Sequence, residues 1–186
     1  LWPTREAKTL KQNLADSLRA HRNYLAAIEQ HYDTKEELAL AYKLARKKAF
    51  IATAGLNSGV QRLLQEPKSK GKLTGKLYEL AVLNHAFLGA LASIGAYLRT
   101  HNVTRRSEAF HQVTAPVFKN IDHALLLLEA QNTQADWEEE DLVPFETQLT
   151  QEPDEALLET HILSEQLASL KRLSEQVNKQ LKNLHA

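Results

Sequence analysis

The chain has 186 residues, enough to enclose a true core in one domain, and its 23 Lys plus Arg balance 23 Asp plus Glu. Six Gly and five Pro are too few for a loop-rich β-sandwich, while Leu, Ala, Glu, Lys and Gln dominate, so the composition is that of a helical protein. The absence of Cys excludes disulfides, thiolate metal sites and cysteine nucleophiles.

After Pro3, the residues Leu10, Leu14, Leu18, Leu25, Ile28 and Tyr32 recur three, four or seven apart, which marks one face of a first helix over about 4–31. TKEE at Thr34 to Glu37 reads as a capping box, the Thr34 hydroxyl covering an orphan amide while Glu37 reaches back. A second helix is therefore expected over 34–66, on Leu38, Tyr42, Ala45, Ala49, Ala52, Leu56, Val60 and Leu63 or Leu64. Pro67, Gly71 and Gly75 in EPKSKGKLTGK then predict a flexible basic loop.

The third helix, over 73–101, is apolar from Ala81 to Leu98, the lower limit of a membrane span. Asn84 and His85 lie inside that stretch, and Ala86, Gly89, Ala90, Ala92, Ser93, Gly95 and Ala96 are small. Both features point to close helix contacts at the centre of a bundle, against a matching small patch at Gly55 and Gly59, and make this the helix expected to be most buried. The fourth helix, over 104–131, runs through Phe110, Val113, Val117, Ile121, Leu125 and Leu128, and Pro116 should bend it by removing one amide proton.

Residues 132–150 lose periodicity and concentrate acid, as a connector would. Pro153, Asp154 and Glu155 suit the first turn of a fifth helix over 153–185. In it Leu163, Leu167, Leu170, Ser174, Val177, Leu181 and Leu184 form a coiled-coil-like seam, to be filled by the chain's own helices or by a second copy. The expected fold is all-α, a single domain over 1–186 built as an antiparallel bundle of about five long helices.

Chemistry is sparse in this pattern. Glu108 and His111 have the Glu-x-x-His spacing of a helical di-metal site, but that site needs the element twice, and His123 lies about 120° around the helix from His111. Arg106 and His111 carry the Arg-x4-His spacing that resembles the catalytic element of the HEPN helical ribonucleases, where the Arg would hold phosphate and the His would act as base. Two residues are little to set against a bland surface helix. No metal, cofactor or catalytic residue is expected.

Charge is more informative. Residues 1–76 hold 15 Lys plus Arg against 7 Asp plus Glu, and residues 77–186 hold 8 against 16. A basic half is drawn to phosphate, but no aromatic platform or motif accompanies the basic loop or the RKK cluster at Arg46 to Lys48, so a solvated loop is the plain reading, and lipid headgroups are expected in preference to nucleic acid. In LWPTREAK, Trp2 and Pro3 precede Arg5 and Lys8, the order found where a chain leaves the inner end of a membrane helix.

LWPTREAKTLKQNLADSLRAHRNYLAAI, residues 1–28, resembles the segment that leaves the last membrane helix in the YccS/YhfK-type branch of the fusaric acid resistance (FUSC) family, aromatic-acid exporters of bacterial inner membranes. The resemblance implies an upstream transmembrane domain as partner and a place on the cytoplasmic face of the bacterial inner membrane. The expected function is then an accessory or regulatory cytoplasmic domain of an efflux transporter, without catalysis of its own. If a first helix of roughly 40 Å leaves the membrane and the second returns, the loop comes back to the bilayer. Trp2, Arg5, Lys8, Lys68, Lys70, Lys72 and Lys76 are then the candidate contacts to an anionic membrane surface. The alternatives are a free-standing interaction module that forms a homo-oligomer through the C-terminal Leu seam, and a HEPN-like ribonuclease acting through Arg106 and His111.

Overall fold

The computed structural model describes residues 5–33, 39–65, 72–100, 108–129 and 155–185. They form five helices, α1 (Arg5–Asp33), α2 (Ala39–Gln65), α3 (Lys72–Thr100), α4 (Glu108–Glu129) and α5 (Glu155–His185), with no strand among the described residues. The capping box at Thr34 to Glu37, most of the basic loop, the acidic connector and Arg106 lie outside the described residues.

Apolar spacing in each helix becomes a buried stripe. Leu10, Leu14, Leu18, Leu25 and Ile28 of α1 are buried, as are Tyr42, Ala49, Leu56, Val60 and Leu63 of α2 and Phe110, Val117, Ile121 and Leu128 of α4. Each stripe recurs at three-, four- or seven-residue steps, so a single face of each helix turns inward. All belong to one continuous core.

Contacts between helices fix their arrangement. α1 packs on α2, α3 and α4, α5 packs on α3 and α4, and α2 touches only α1 and α3. Four helices (α1, α3, α5 and α4) thus enclose the core, and α2 is laid outside against the α1–α3 edge. Asn13 meets Gly55 and Tyr24 meets Tyr42, so α2 runs opposite to α1. Arg22 meets Asp122 and Thr114 meets Glu29, so α4 also opposes α1. Ser17 meets Asn84 and His21 meets Phe87, which makes α3 parallel to α1. Lys76 at the start of α3 meets Asn183 at the end of α5. Hence α5 opposes α3 and runs parallel to its other neighbour α4, so the end of α4 and the start of α5 lie at opposite ends of that pair.

The seam of α5 is taken up inside the chain. Leu163, Leu167, Leu170, Ser174, Val177, Leu181 and Leu184 are all buried, with α3 and α4 as the neighbours of α5. Two polar contacts fix its register, Asn120 donating to the Ser174 hydroxyl at 2.8 Å and Asn178 donating to the Asn120 carbonyl at 3.0 Å.

The expectation for the third helix needs correction. Leu77, Leu80, Phe87, Leu88, Leu91 and Ile94 of α3 are buried, but α1 is the more deeply embedded helix, and α3 leaves Tyr78, Val82, Ala86, Gly89, Ser93 and Ala96 exposed. Of the small residues, Gly95 is a true close contact, since a Cβ there would stand 2.4 Å from the Tyr42 hydroxyl and 3.1 Å from that of Tyr24. Gly59 is another, with Leu10 at 2.9 Å from the same hypothetical atom, whereas Gly55 and Gly89 face open space. Ala raises the hydropathy of a helix without requiring burial, and Gly adds no side chain to cover, because each removes little apolar surface from water.

Candidate functional site

Four of the buried polar residues among the described residues gather where α1, α2 and α3 meet. Ser17, His21, Thr53 and Asn84 are at most 2% exposed, although each occupies a position where the helical repeat calls for an apolar side chain. Asn84 donates to the Ser17 hydroxyl at 2.7 Å, Ser17 shares a hydrogen bond with the Thr53 hydroxyl at 3.2 Å, and Thr53 lies 3.0 Å from His21 Nε2. Asn84 donates into this chain, and the Ser17, Thr53 and His21 Nε2 bonds can run in either sense according to the imidazole tautomer. Phe87 stacks on the ring at 5.4 Å between centroids.

Burial pushes the His21 imidazole down to about 3, so it is neutral at physiological pH. Its Nδ1 and the Asn84 Oδ1 have no hydrogen-bond partner among the described residues. An unmatched buried polar atom costs about 1–3 kcal/mol, so this seam trades stability for a fixed arrangement of three helices. A general base needs access to its substrate and a pKa near the working pH, and His21 has neither. The cluster therefore works as an internal latch. One turn further along α1, the Tyr24 and Tyr42 hydroxyls are 3.0 Å apart beside Gly95, and burial pushes the Tyr24 hydroxyl up.

The α4 side of α1 is built differently. Arg22 grips Asp122 with two hydrogen bonds of 2.6 and 3.1 Å, which raises the Arg22 pKa, and lies 5.4 Å from the Phe118 ring. Arg19 bridges Asp16 at 3.1 Å and Glu129 at 2.6 Å. These side chains are about half exposed, where ion pairs contribute roughly 0–1 kcal/mol each and mainly set orientation. Glu29 takes the Thr114 hydroxyl and lies 3.4 Å from His111 Nδ1.

The candidate residues read from the sequence fare unequally. His111 is occupied by Glu29, the Glu108 side chain is not among those described, and no group of three or more metal-ligating residues occurs among the described residues. Of the seven membrane-contact candidates, Trp2, Lys68 and Lys70 lie outside the described residues, as do the side chains of Arg5, Lys8 and Lys72. Lys76 donates to the Asn183 carbonyl, a cation at the negative end of the α5 dipole. Sequence reasoning singled out Asn84 but missed Ser17, His21 and Thr53. The available signal was a polar residue on the apolar repeat of each of two further helices.

The outward side of α2 is the other unusual surface. Leu40, Leu44, Phe50 and Ile51 are exposed there beside Lys43, Arg46, Lys47 and Lys48. α3 is long and apolar enough to cross a membrane by length and composition, but Asn84 and its buried leucines bind it into the bundle.

Fold and surface together define a helical-bundle domain with a sealed polar seam inside and a basic, apolar helix outside. No family model and no solved structure matches the chain. In sequence it is related to an inner membrane protein, YccS of Escherichia coli strain K12, with 30% identity over 97 residues, 52% of this chain and 14% of YccS. It is also 26% identical over 129 residues to an uncharacterized protein of Haemophilus influenzae strain Rd, a match covering 69% of this chain and 18% of that protein. The chain thus spans less than a fifth of either relative.

Proposed function

We propose that this chain is the cytoplasmic accessory or regulatory domain of an inner-membrane efflux protein of the FUSC type, with no catalysis of its own. The observation that carries this reading is the match to inner membrane protein YccS over half of the chain and only a small part of YccS. A piece of that size is what one domain of a larger membrane protein would be. The excess of positive charge in residues 1–76 supports a cytoplasmic position, because Lys and Arg accumulate on the cytoplasmic side of membrane helices.

The closed state of the buried cluster supports a supporting role over a chemical one. His21 is sealed and neutral, and His111, the exposed His of both sequence patterns, is engaged by the part-buried Glu29. A domain of this kind would act by holding a partner surface in place, with its own transmembrane domain as the first such partner.

The reading frame upstream of Leu1 tests the proposal. A run of about 20 apolar residues ending near Trp2, with further spans before it, is the expected result. A start codon immediately before Leu1 would overturn it.

A further inference from the structure

α2 is the least enclosed helix of the bundle and chemically the most one-sided. Among the described helices it packs on α1 and α3 from outside the four-helix ring, most of its side chains are exposed, and from Ala39 to Gln65 it carries Lys43, Arg46, Lys47, Lys48 and Arg62 with no acidic residue. Its buried residues Tyr42, Ala49, Thr53, Leu56, Val60 and Leu63 form one stripe at three-, four- and seven-residue steps. On the opposite side, Leu40, Leu44 and Ile51 recur four and seven residues apart, with relative exposures of 77%, 49% and 60%. At 100° per residue these three fall within about 40° of one another, with Lys47 in the same line and Lys43 and Lys48 on its two flanks. Phe50 is exposed further round the helix, about 100° from the centre of the stripe, with Arg46 5.4 Å from its ring.

Large aliphatic side chains held in water are costly unless something covers them. Two identical faces of this kind would bring cation against cation, which argues against a second copy as the cover. An aliphatic line bordered by lysines is what an interfacial helix uses, the apolar residues entering the acyl boundary and the cations reaching phosphate. We infer that the outward face of α2 is a docking surface for an anionic phospholipid bilayer, so that the bundle lies along the membrane on this helix. In this orientation Leu40, Leu44 and Ile51 enter the headgroup region while Lys43, Lys47 and Lys48 lie at phosphate depth.

This orientation differs from one in which the bundle stands upright and only the basic loop around Lys68 to Lys76 meets lipid. It takes from the proposed function the idea that a membrane is nearby, but the two are tested separately, because vesicle binding needs no upstream segment.

The test is flotation of the 186-residue chain with vesicles of phosphatidylglycerol and phosphatidylethanolamine, and with vesicles of phosphatidylcholine alone, at low and high salt. The expected result is binding to the anionic vesicles that weakens with salt, roughly tenfold or more weaker in Leu44→Glu/Ile51→Glu, and reduced in Lys43→Gln/Lys47→Gln/Lys48→Gln. In a Trp2→Phe/Trp137→Phe background, an Ile51→Trp variant should show a blue-shifted emission on binding and quenching by brominated lipid. The α2 positions are exposed, so each variant should keep the helical circular dichroism of the parent. Three results would overturn the inference: no binding to anionic vesicles, equal binding by Leu44→Glu/Ile51→Glu, or binding abolished by changing Lys68, Lys70, Lys72 and Lys76 to Gln while the α2 variants bind normally.

Discussion

α1 and α3 lie side by side and parallel, yet they reach the core by opposite means. α3 is the more apolar of the two and passes the length and composition criteria for a membrane span, but it leaves a stripe from Tyr78 to Ala96 open to solvent. α1 carries Arg19, Arg22 and other charges, and nevertheless contacts three helices and buries Leu14, Leu18, Tyr24, Leu25 and Ile28 almost completely. Burial follows from where large side chains recur around the helix, whereas mean composition counts Ala and Gly that need no cover.

If α1 is the central helix, truncating its buried face should have the largest effect. Leu25→Ala, at a position with no exposed surface, should lower unfolding stability by about 2–5 kcal/mol in urea titration. The same change at the half-exposed Val82 of α3 should fall within about 0.5 kcal/mol of the parent. Similar losses at both positions would break the comparison.

The next effect belongs to the latch. His21 is neutral in the folded chain with a pKa of about 3, against about 6.5 when unfolded. Between those values the unfolded state binds the proton and the folded state does not. The His21 contribution is therefore fully present above about pH 6.5 and is lost by up to roughly 1.4 kcal/mol per unit as the pH falls toward 3. Comparing pH 7 with pH 5, the parent should lose about 2 kcal/mol more than His21→Gln, which has no group to titrate. Parallel profiles for the two proteins would mean that the imidazole is not sealed.

The smallest effect sharpens the contrast within α3. A methyl group added at Gly95 meets the Tyr42 hydroxyl at 2.4 Å, and overpacking of this kind costs about 1–3 kcal/mol, less up to about 1 kcal/mol of helix propensity. At Gly89 nothing stands within 4 Å, so Gly89→Ala should stabilise the chain by about 0.5–1 kcal/mol. Thermal melts of the two variants should move in opposite directions.

The fold class was legible because the repeats were unambiguous. The first helix and the seam of the fifth point directly to Leu10, Leu14, Leu18, Leu163, Leu167 and Leu170, all of which are buried. What could not be read was the partner of each face. Nothing local says that the α5 seam lies against α3 and α4, or that α4 and α5 are parallel, since these depend on chain crossings separated by many residues. The polar cluster was half legible for the same reason: Asn84 stood out in an apolar run, while Ser17, His21 and Thr53 look like ordinary surface residues until the helices are placed. Position around the helix was the missing clue, because each shares the register of its buried leucines.

The measurement that tests the functional proposal most directly is a pair of reporter fusions to the C-terminal end of the complete reading frame, green fluorescent protein in one and alkaline phosphatase in the other. Fluorescence in the membrane fraction with an inactive phosphatase is the predicted result, as expected for a domain held on the cytoplasmic face. Active phosphatase, or fluorescence that stays with the soluble fraction at low salt, would contradict it.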